Sequence, residues 1–206
     1  MLKIGVLVSG GGTNLQAIMD AIETQGINAE IVSVVSSNPK AYALERAAKK
    51  GIEAICMRKR DYADAKAYDL ALAEHFKKRG VGLVVLAGFM TILGEDFVNT
   101  FENKIMNIHP ALIPSFCGDG FYGLHVHEAV LEKGVKLTGA TVHFVSQITD
   151  GGPIILQKAV EVMDDDTPEV LQKRVMEEAE WKIFPEAIRL FAEGKLEVVG
   201  NKVRIR

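Results

Sequence analysis

Cysteine is scarce in this chain, tryptophan occurs once, and no hydrophobic run is long. The two cysteines, Cys56 and Cys117, show no metal-ligand spacing and no export signal accompanies them. That excludes a disulfide framework and makes reduced thiols in a cytoplasmic protein the expectation. No uninterrupted apolar stretch approaches the roughly 20 residues that a helix needs to span a bilayer. The apolar run at the N-terminus is too short for a signal-peptide core and is broken at once by Gly10, Gly11 and Gly12, so no membrane partner is expected. Positive charge is not in excess: 24 Lys and Arg stand against 27 Asp and Glu, a net charge of -3. This balance argues against a nucleic-acid partner held by bulk charge, yet leaves room for a local pocket that takes one phosphate. Repeats, low-complexity tracts and flexible linkers are also missing. The 206 residues, 48% of them apolar, are expected to form one domain over 1–206, in two tightly joined halves of 1–100 and 101–206.

Strand and helix patterns alternate through the first half. LKIGVLVS (2–9) reads as a buried strand, short, β-branched and ended by glycine. Thr13 or Asn14 is a candidate cap for the next helix, whose Leu15, Ile18, Met19 and Ile22 fall at core spacing. Strand 29–37, helix 41–50, strand 53–57, a helix around 64–79 and the apolar run 82–89 continue the rhythm. It predicts an α/β fold, a doubly wound and mostly parallel sheet with helices on both faces. The second half is less regular. KIMNIHP (104–110) reads as a strand stopped by Pro110, followed by the glycine-rich loop 116–123 and a helix near 125–133. Runs 138–145 and 153–162 are expected to pair across the Thr149–Pro153 turn, an antiparallel addition to the sheet. Residues 167–193 form one long helical pattern, with Thr167 as cap and Pro168 at the first position. The last residues read as a hairpin turning at Gly200-Asn201.

Four stretches carry candidate chemistry, and each also has a plain structural reading. Ser9–Asn14, SGGGTN, suits a phosphate, because glycines admit a ligand to backbone N–H groups and a helix N-terminus carries partial positive charge. No Lys-Ser/Thr pair follows and the third glycine of a dinucleotide fingerprint is missing, so the loop does not specify a nucleotide. An ordinary tight turn has the same composition. In Asn107-Ile108-His109-Pro110, strand alternation puts Asn107 and His109 on one face at the strand's carboxyl end, where open α/β sheets form their ligand crevice. Asn offers a neutral donor to a developing oxyanion, and His moves a proton near neutral pH. The plain reading is a turn-satisfying Asn and a surface His. Asp150, in Thr149-Asp150-Gly151-Gly152-Pro153, is locally a turn residue. Beside His109 it would stabilise the imidazolium and raise its pKa. Gly88–Leu93 lies past a buried strand, where apolar side chains and backbone groups suit a flat heterocycle. His125 and His127 fall at a helix start without a carboxylate cluster, so no metal is expected. His75 and His143 read as structural, and Asp164–Asp166 as a solvated turn.

Together these stretches closely resemble one family, the phosphoribosylglycinamide formyltransferases of folate-dependent purine synthesis. VLVSGGGTNLQAI, SSNPKAYALERA, VVLAGFMTIL, MNIHPALIPSF, GLHVHEAVLEKG, TGATVHFV and TDGGPIILQKAV carry the resemblance, across nearly the whole chain. It implies that Gly12, Thr13 and Asn14 bind the phosphate of glycinamide ribonucleotide. It also implies that Met90, Thr91, Ile92 and Leu93, with Asn107, hold 10-formyltetrahydrofolate as co-substrate. Asn107, His109 and Asp150 match the family's catalytic triad, with no metal. Glu180 matches a ribonucleotide contact when aligned on the Ile-Phe-Pro that follows; aligned from the preceding Arg-Val, the register moves by one residue. CGDGFYG is longer than in the shorter members. Where many relatives have an arginine this chain has Ala65, with Lys66 beside it. The implied protein is cytoplasmic and a monomer or homodimer.

Two other formyl-handling families share parts of this pattern. Formyltetrahydrofolate hydrolase delivers the group to water with the same residues, but usually has an N-terminal regulatory domain where this chain starts at its first strand. Methionyl-tRNA formyltransferase would add a C-terminal domain and a basic face for tRNA. A nonenzymatic nucleotide- or folate-binding module is the alternative of a different class.

Overall fold

Two compact units, Met1–Asn107 and Ile108–Arg206, make up the computed structural model, which describes every residue of the chain. The first unit alternates strand and helix: β1 (Leu2–Val8), α1 (Thr13–Gln25), β2 (Ala29–Ser36), α2 (Tyr42–Lys49), β3 (Glu53–Cys56), a 3-10 turn (Lys59–Asp61), α3 (Ala65–Lys78), β4 (Leu83–Leu86) and α4 (Glu95–Thr100). It ends within β5 (Ile105–His109). The strands lie in the order β3-β2-β1-β4-β5, and each neighbouring pair is parallel. Parallel strands buried on both faces read as unbroken apolar runs, and Ile4, Val6, Leu7 and Val8 of β1 are wholly buried. Gly5 interrupts that run because a Cβ there would meet the Phe76 ring at 2.6 Å. Phe76 in turn packs edge-on against Phe97 and Phe101. Each such fully buried side chain contributes roughly 1.5–3 kcal/mol.

Chain order in this sheet reverses at β1: β2 lies on one side and β4 on the other. Loops leaving the carboxyl ends of two strands that diverge in this way leave a crevice, the usual ligand position in an open α/β sheet. Those loops are Ser9–Gly12 and Gly88–Gly94.

The second unit holds the end of β5, then α5 (Leu124–Lys133), β6 (Leu137–Phe144), β7 (Ile154–Glu161), α6 (Pro168–Val175), α7 (Trp181–Ala192), β8 (Leu196–Val199) and β9 (Lys202–Ile205). Its strand order is β6-β7-β9-β8. β6 and β7 are antiparallel, as are β8 and β9, so the mostly parallel α/β fold gains antiparallel strands in its C-terminal half. Gly200 turns the last hairpin at φ 60.

Two expectations change here. The helical pattern 167–193 is interrupted by a π-helical turn, Met176–Glu180, between α6 and α7. A π turn accommodates an extra residue, so the one-residue ambiguity in placing Glu180 has a physical cause. The acidic run is not wholly solvated. Asp166 has a nearly buried side chain that takes both Arg174 guanidinium nitrogens at 2.5 Å and the Met163 amide at 2.8 Å. Asp164 and Asp165 are the exposed members, and Asp164 pairs with Lys136. No helix is long and apolar enough to cross a membrane.

Candidate active site

In the first unit, the glycine loop ends in a left-handed turn. Gly12 has φ 74 and ψ 34 and is itself the N-cap of α1, without a capping side chain. Thr13 and Asn14 therefore begin the helix and do not cap it, contrary to expectation. The left-handed backbone admits glycine without strain, and a Cβ at Gly12 would meet the Ala43 methyl at 2.6 Å. Arg46, on α2, braces the loop: its Nε donates to the Gly11 carbonyl at 2.8 Å and its Nη1 to Gln16 Oε1 at 3.0 Å. Its guanidinium also lies 5.0 Å from the Tyr42 ring centroid. Sequence reasoning missed this cation beside the phosphate-friendly loop. Its position one turn after Tyr42 on a helix is the only local signal.

Past β4, Met90 and Ile92 present exposed side chains, at 54% and 75%, while Thr91 and Leu93 are partly covered. The backbone of this ledge is partly engaged. The Met90 amide donates to Ser9 Oγ at 2.9 Å, and the Ile92 carbonyl accepts from Lys59 Nζ at 3.3 Å. At its far end Gly94 lies against Asp69, whose carboxylate would occupy the place of a Cβ. Burial raises the Asp69 pKa, opposed by its hydrogen bond from the Gly94 backbone and by Lys59. Asn107 is partly buried on β5, in register with Leu86 of β4. Lys66 lies exposed near the start of α3.

In the second unit, His109 is 4% exposed and its two ring nitrogens face different acceptors. Nε2 donates to the Phe116 carbonyl at 2.7 Å, and Nδ1 lies 3.5 Å from Asp150 Oδ2. Asp150 itself has φ 52, a left-handed conformation that Asp tolerates better than most side chains. Its Oδ2 also accepts the Gly118 amide at 2.9 Å, and its Oδ1 lies 3.6 Å from His143 Nε2. Both glycines after Asp150 are needed sterically. A Cβ at Gly151 would meet Ile148 at 2.6 Å, and one at Gly152 would run into the Phe144 carbonyl.

The electrostatics depart from expectation at one point. Burial pushes His109 below its ordinary imidazole value, and it outweighs the upward pull of Asp150 and of the Phe116 carbonyl. Asp150 therefore raises the imidazole only relative to what burial alone would do. Burial also pushes the Asp150 carboxyl up, but His143, the Gly118 amide and His109 together hold it below the ordinary value. Sequence reasoning treated His143 as merely structural. The available signal is that His143 is the single ionisable side chain of a buried strand.

Loop 116–123 supplies both the Phe116 carbonyl and the Gly118 amide, so it lies over the His109–Asp150 pair. Beside Asp150 is a cavity of about 650 Å³ lined by Ile113, Pro114, Cys117, Ile154 and Lys202 among others. His127, on α5, is fully buried, has no protein partner for either nitrogen, and is depressed to about 4 by burial and by the charge of His109. Glu180 is buried at the end of the π-helical turn.

Comparison with known proteins gives this arrangement a context. The family model described as formyl transferase matches residues 2–188. The phosphoribosylglycinamide formyltransferase of Haemophilus influenzae is 38% identical over 201 residues, covering 98% of this chain and 92% of that protein. The trifunctional purine biosynthetic protein adenosine-3 of Bos taurus is 42% identical over 199 residues, 97% of this chain. This chain spans 19% of that protein's length, and 14% of its counterpart's in Drosophila pseudoobscura. Among solved structures, glycinamide ribonucleotide transformylase 1 from Symbiobacterium toebii superposes with a TM-score of 0.94 at 48% identity. That match covers 100% of this chain and 94% of the other.

Proposed function

The chain belongs to the formyl transferase family, and from that membership we propose that it transfers the formyl group of 10-formyltetrahydrofolate to the amine of glycinamide ribonucleotide. The observation that carries the reading to particular residues is the buried His109–Asp150 pair, 3.5 Å apart, in the stretches that bear the family likeness.

In this reading the ribonucleotide phosphate lies on Gly12, Thr13 and Asn14, and Glu180 contacts the same substrate. The exposed apolar ledge from Met90 to Leu93 receives the pterin. The folate is a second substrate and leaves as tetrahydrofolate. The amine nitrogen attacks the formyl carbon, forming the new C–N bond. The bond from that carbon to the folate nitrogen then breaks. The amine loses one proton and the departing folate nitrogen gains one, so the charges balance. Asn107 and His109 donate hydrogen bonds to the oxyanion of the tetrahedral intermediate. In its protonated form His109 carries an N–H on both nitrogens: Nδ1 faces Asp150, while Nε2, once the Phe116 carbonyl gives up that position, donates to the oxyanion and then passes its proton to the departing folate nitrogen. Asp150 fixes the ring and assists removal of the amine proton, directly or through water. The protein is proposed to act in the cytoplasm, in keeping with its free thiols at Cys56 and Cys117.

The test is substrate dependence. Purified protein should consume 10-formyltetrahydrofolate only when glycinamide ribonucleotide is present, with formylated ribonucleotide produced in equal amount. Equal consumption without the acceptor would assign the chain to formyltetrahydrofolate hydrolysis. Tight binding of both compounds with no transfer would assign it to a binding module.

A further inference from the structure

Ser9 stands at the exit of β1 and touches both loops that leave the switch point. Its backbone N–H donates to the Gly88 carbonyl at 3.0 Å, which carries the β1–β4 pairing beyond the ends of the strands. Its hydroxyl oxygen accepts the Met90 amide at 2.9 Å and shares a hydrogen bond with the Ser37 hydroxyl at 2.7 Å. Its carbonyl accepts from Asn38 Nδ2 at 3.4 Å. Immediately downstream, Gly10 and Gly11 are exposed, and a Cβ on either would meet nothing within 4 Å. The carbonyls of Gly10 and Gly11 are held from α2, by the Ala43 amide at 3.1 Å and Arg46 Nε at 2.8 Å, while Ser9 ties the start of the loop to the ledge that carries the exposed Met90 and Ile92.

Energetic coupling between neighbouring sites is carried by the hydrogen bonds that link their backbones. When two ligand-bearing segments share one hydrogen-bonded anchor, a ligand that sets the anchor's position for one segment favours the matching position of the other. Ser9 is that anchor, because one hydroxyl ties the start of the glycine loop to the backbone of the ledge. We infer that Ser9 is a positioning residue that couples the two substrate subsites: phosphate on the glycine loop favours the pterin on the ledge, and the reverse. This rests on the proposed function, which assigns those ligands to those loops.

Titration calorimetry on the full chain tests it. Glycinamide ribonucleotide is titrated with and without a saturating, non-transferable folate analogue, and the analogue with and without the ribonucleotide. In the wild type each ligand should tighten the other by about fivefold or more, equally in both directions as linkage requires. In Ser9→Ala the factor should fall to within about twofold of unity, and Ser9→Thr, which keeps the hydroxyl, should restore it. A merely structural role would weaken both ligands without abolishing their coupling. Coupling retained in Ser9→Ala, or absent from a wild type that binds both ligands, overturns the inference and leaves the proposed activity standing. Failure of the wild type to bind either ligand overturns the activity and this inference with it. Should Ser9→Ala not fold, Ser37→Ala removes only the outer hydrogen bond of the same hydroxyl and should reduce the coupling; an unchanged factor there also overturns the inference.

Discussion

The Nε2 of His109 donates to the carbonyl of Phe116 at 2.7 Å, so a loop of the protein itself holds the proton-bearing nitrogen of the imidazole. In the proposed reaction that nitrogen must turn to substrate, and Phe116 must release it. Phe116 has φ 50, a left-handed conformation that a bulky side chain adopts only under the constraint of its surroundings. For His109→Ala we expect turnover to fall by about two to four orders of magnitude, the span of general acid–base and oxyanion contributions. Ribonucleotide affinity should change little, because the phosphate is proposed to rest on Gly12–Asn14. Steady-state kinetics and calorimetry on the same variant separate the two; turnover close to wild type would falsify the assignment.

Asp150 sets the titration of His109 against burial. Burial lowers the imidazole and Asp150 raises it, with burial the larger effect. Replacing the carboxylate by an amide removes the raising influence alone. In Asp150→Asn the His109 ring should therefore titrate at a lower pH than in the wild type, which NMR of the imidazole protons would follow. An unchanged or higher midpoint would contradict the electrostatics described here.

His127 makes a separate prediction about acid stability. Its folded value lies near 4, below the ordinary 6.5, so the unfolded chain binds more protons between those limits. Stability linked to this group is full above about pH 6.5 and is lost as pH falls toward 4. Because neither nitrogen has a protein partner, an apolar replacement breaks no protein hydrogen bond. His127→Leu should accordingly lose less melting temperature than the wild type between pH 7 and pH 5. Parallel curves for the two proteins would remove His127 from the account.

Gly12→Ala meets two obstacles, a left-handed φ of 74 and the Ala43 methyl. The loop must shift, at a stability cost of about 1–3 kcal/mol, and its amides move off the phosphate. Ribonucleotide affinity should drop at least tenfold while binding of the folate analogue alone persists. Equal loss of both ligands would point to general unfolding, which the melting temperature would reveal.

Gly94→Ala tests the far end of the ledge. The new methyl would enter the space of the buried Asp69 carboxylate, displacing the backbone after Leu93. The Michaelis constant for the folate should rise several-fold with a smaller change in kcat, and that for the ribonucleotide should stay near wild type. A rise confined to the ribonucleotide would place the folate elsewhere.

Local chemistry accounts for what could be read without coordinates. Apolar runs such as Ile4–Val8 and Leu83–Leu86 announce buried parallel strands because their period and composition do not depend on distant residues. Gly10–Gly12 announces a sharp βα turn for the same reason, and residues two apart on a strand, such as Asn107 and His109, follow from backbone geometry. The cap of α1 differs from the expectation because Gly12 takes a left-handed cap that the side-chain rules for Thr13 and Asn14 do not anticipate. The π-helical turn was invisible for a similar reason, since one extra residue hardly disturbs a helical pattern.

The sequence by itself determined the α/β rhythm, the glycine loop and, through the family likeness, the reaction to expect. Only the tertiary structure brought Asp150 to 3.5 Å from His109, set His143 on its other oxygen, and placed Arg46 and Ser9 against the loops. It alone decided the direction of the His109 titration. The reason is the same in each case. Hydrogen bonds between distant segments and the desolvation of a buried ring are properties of the packed chain, and no local stretch of residues encodes their balance.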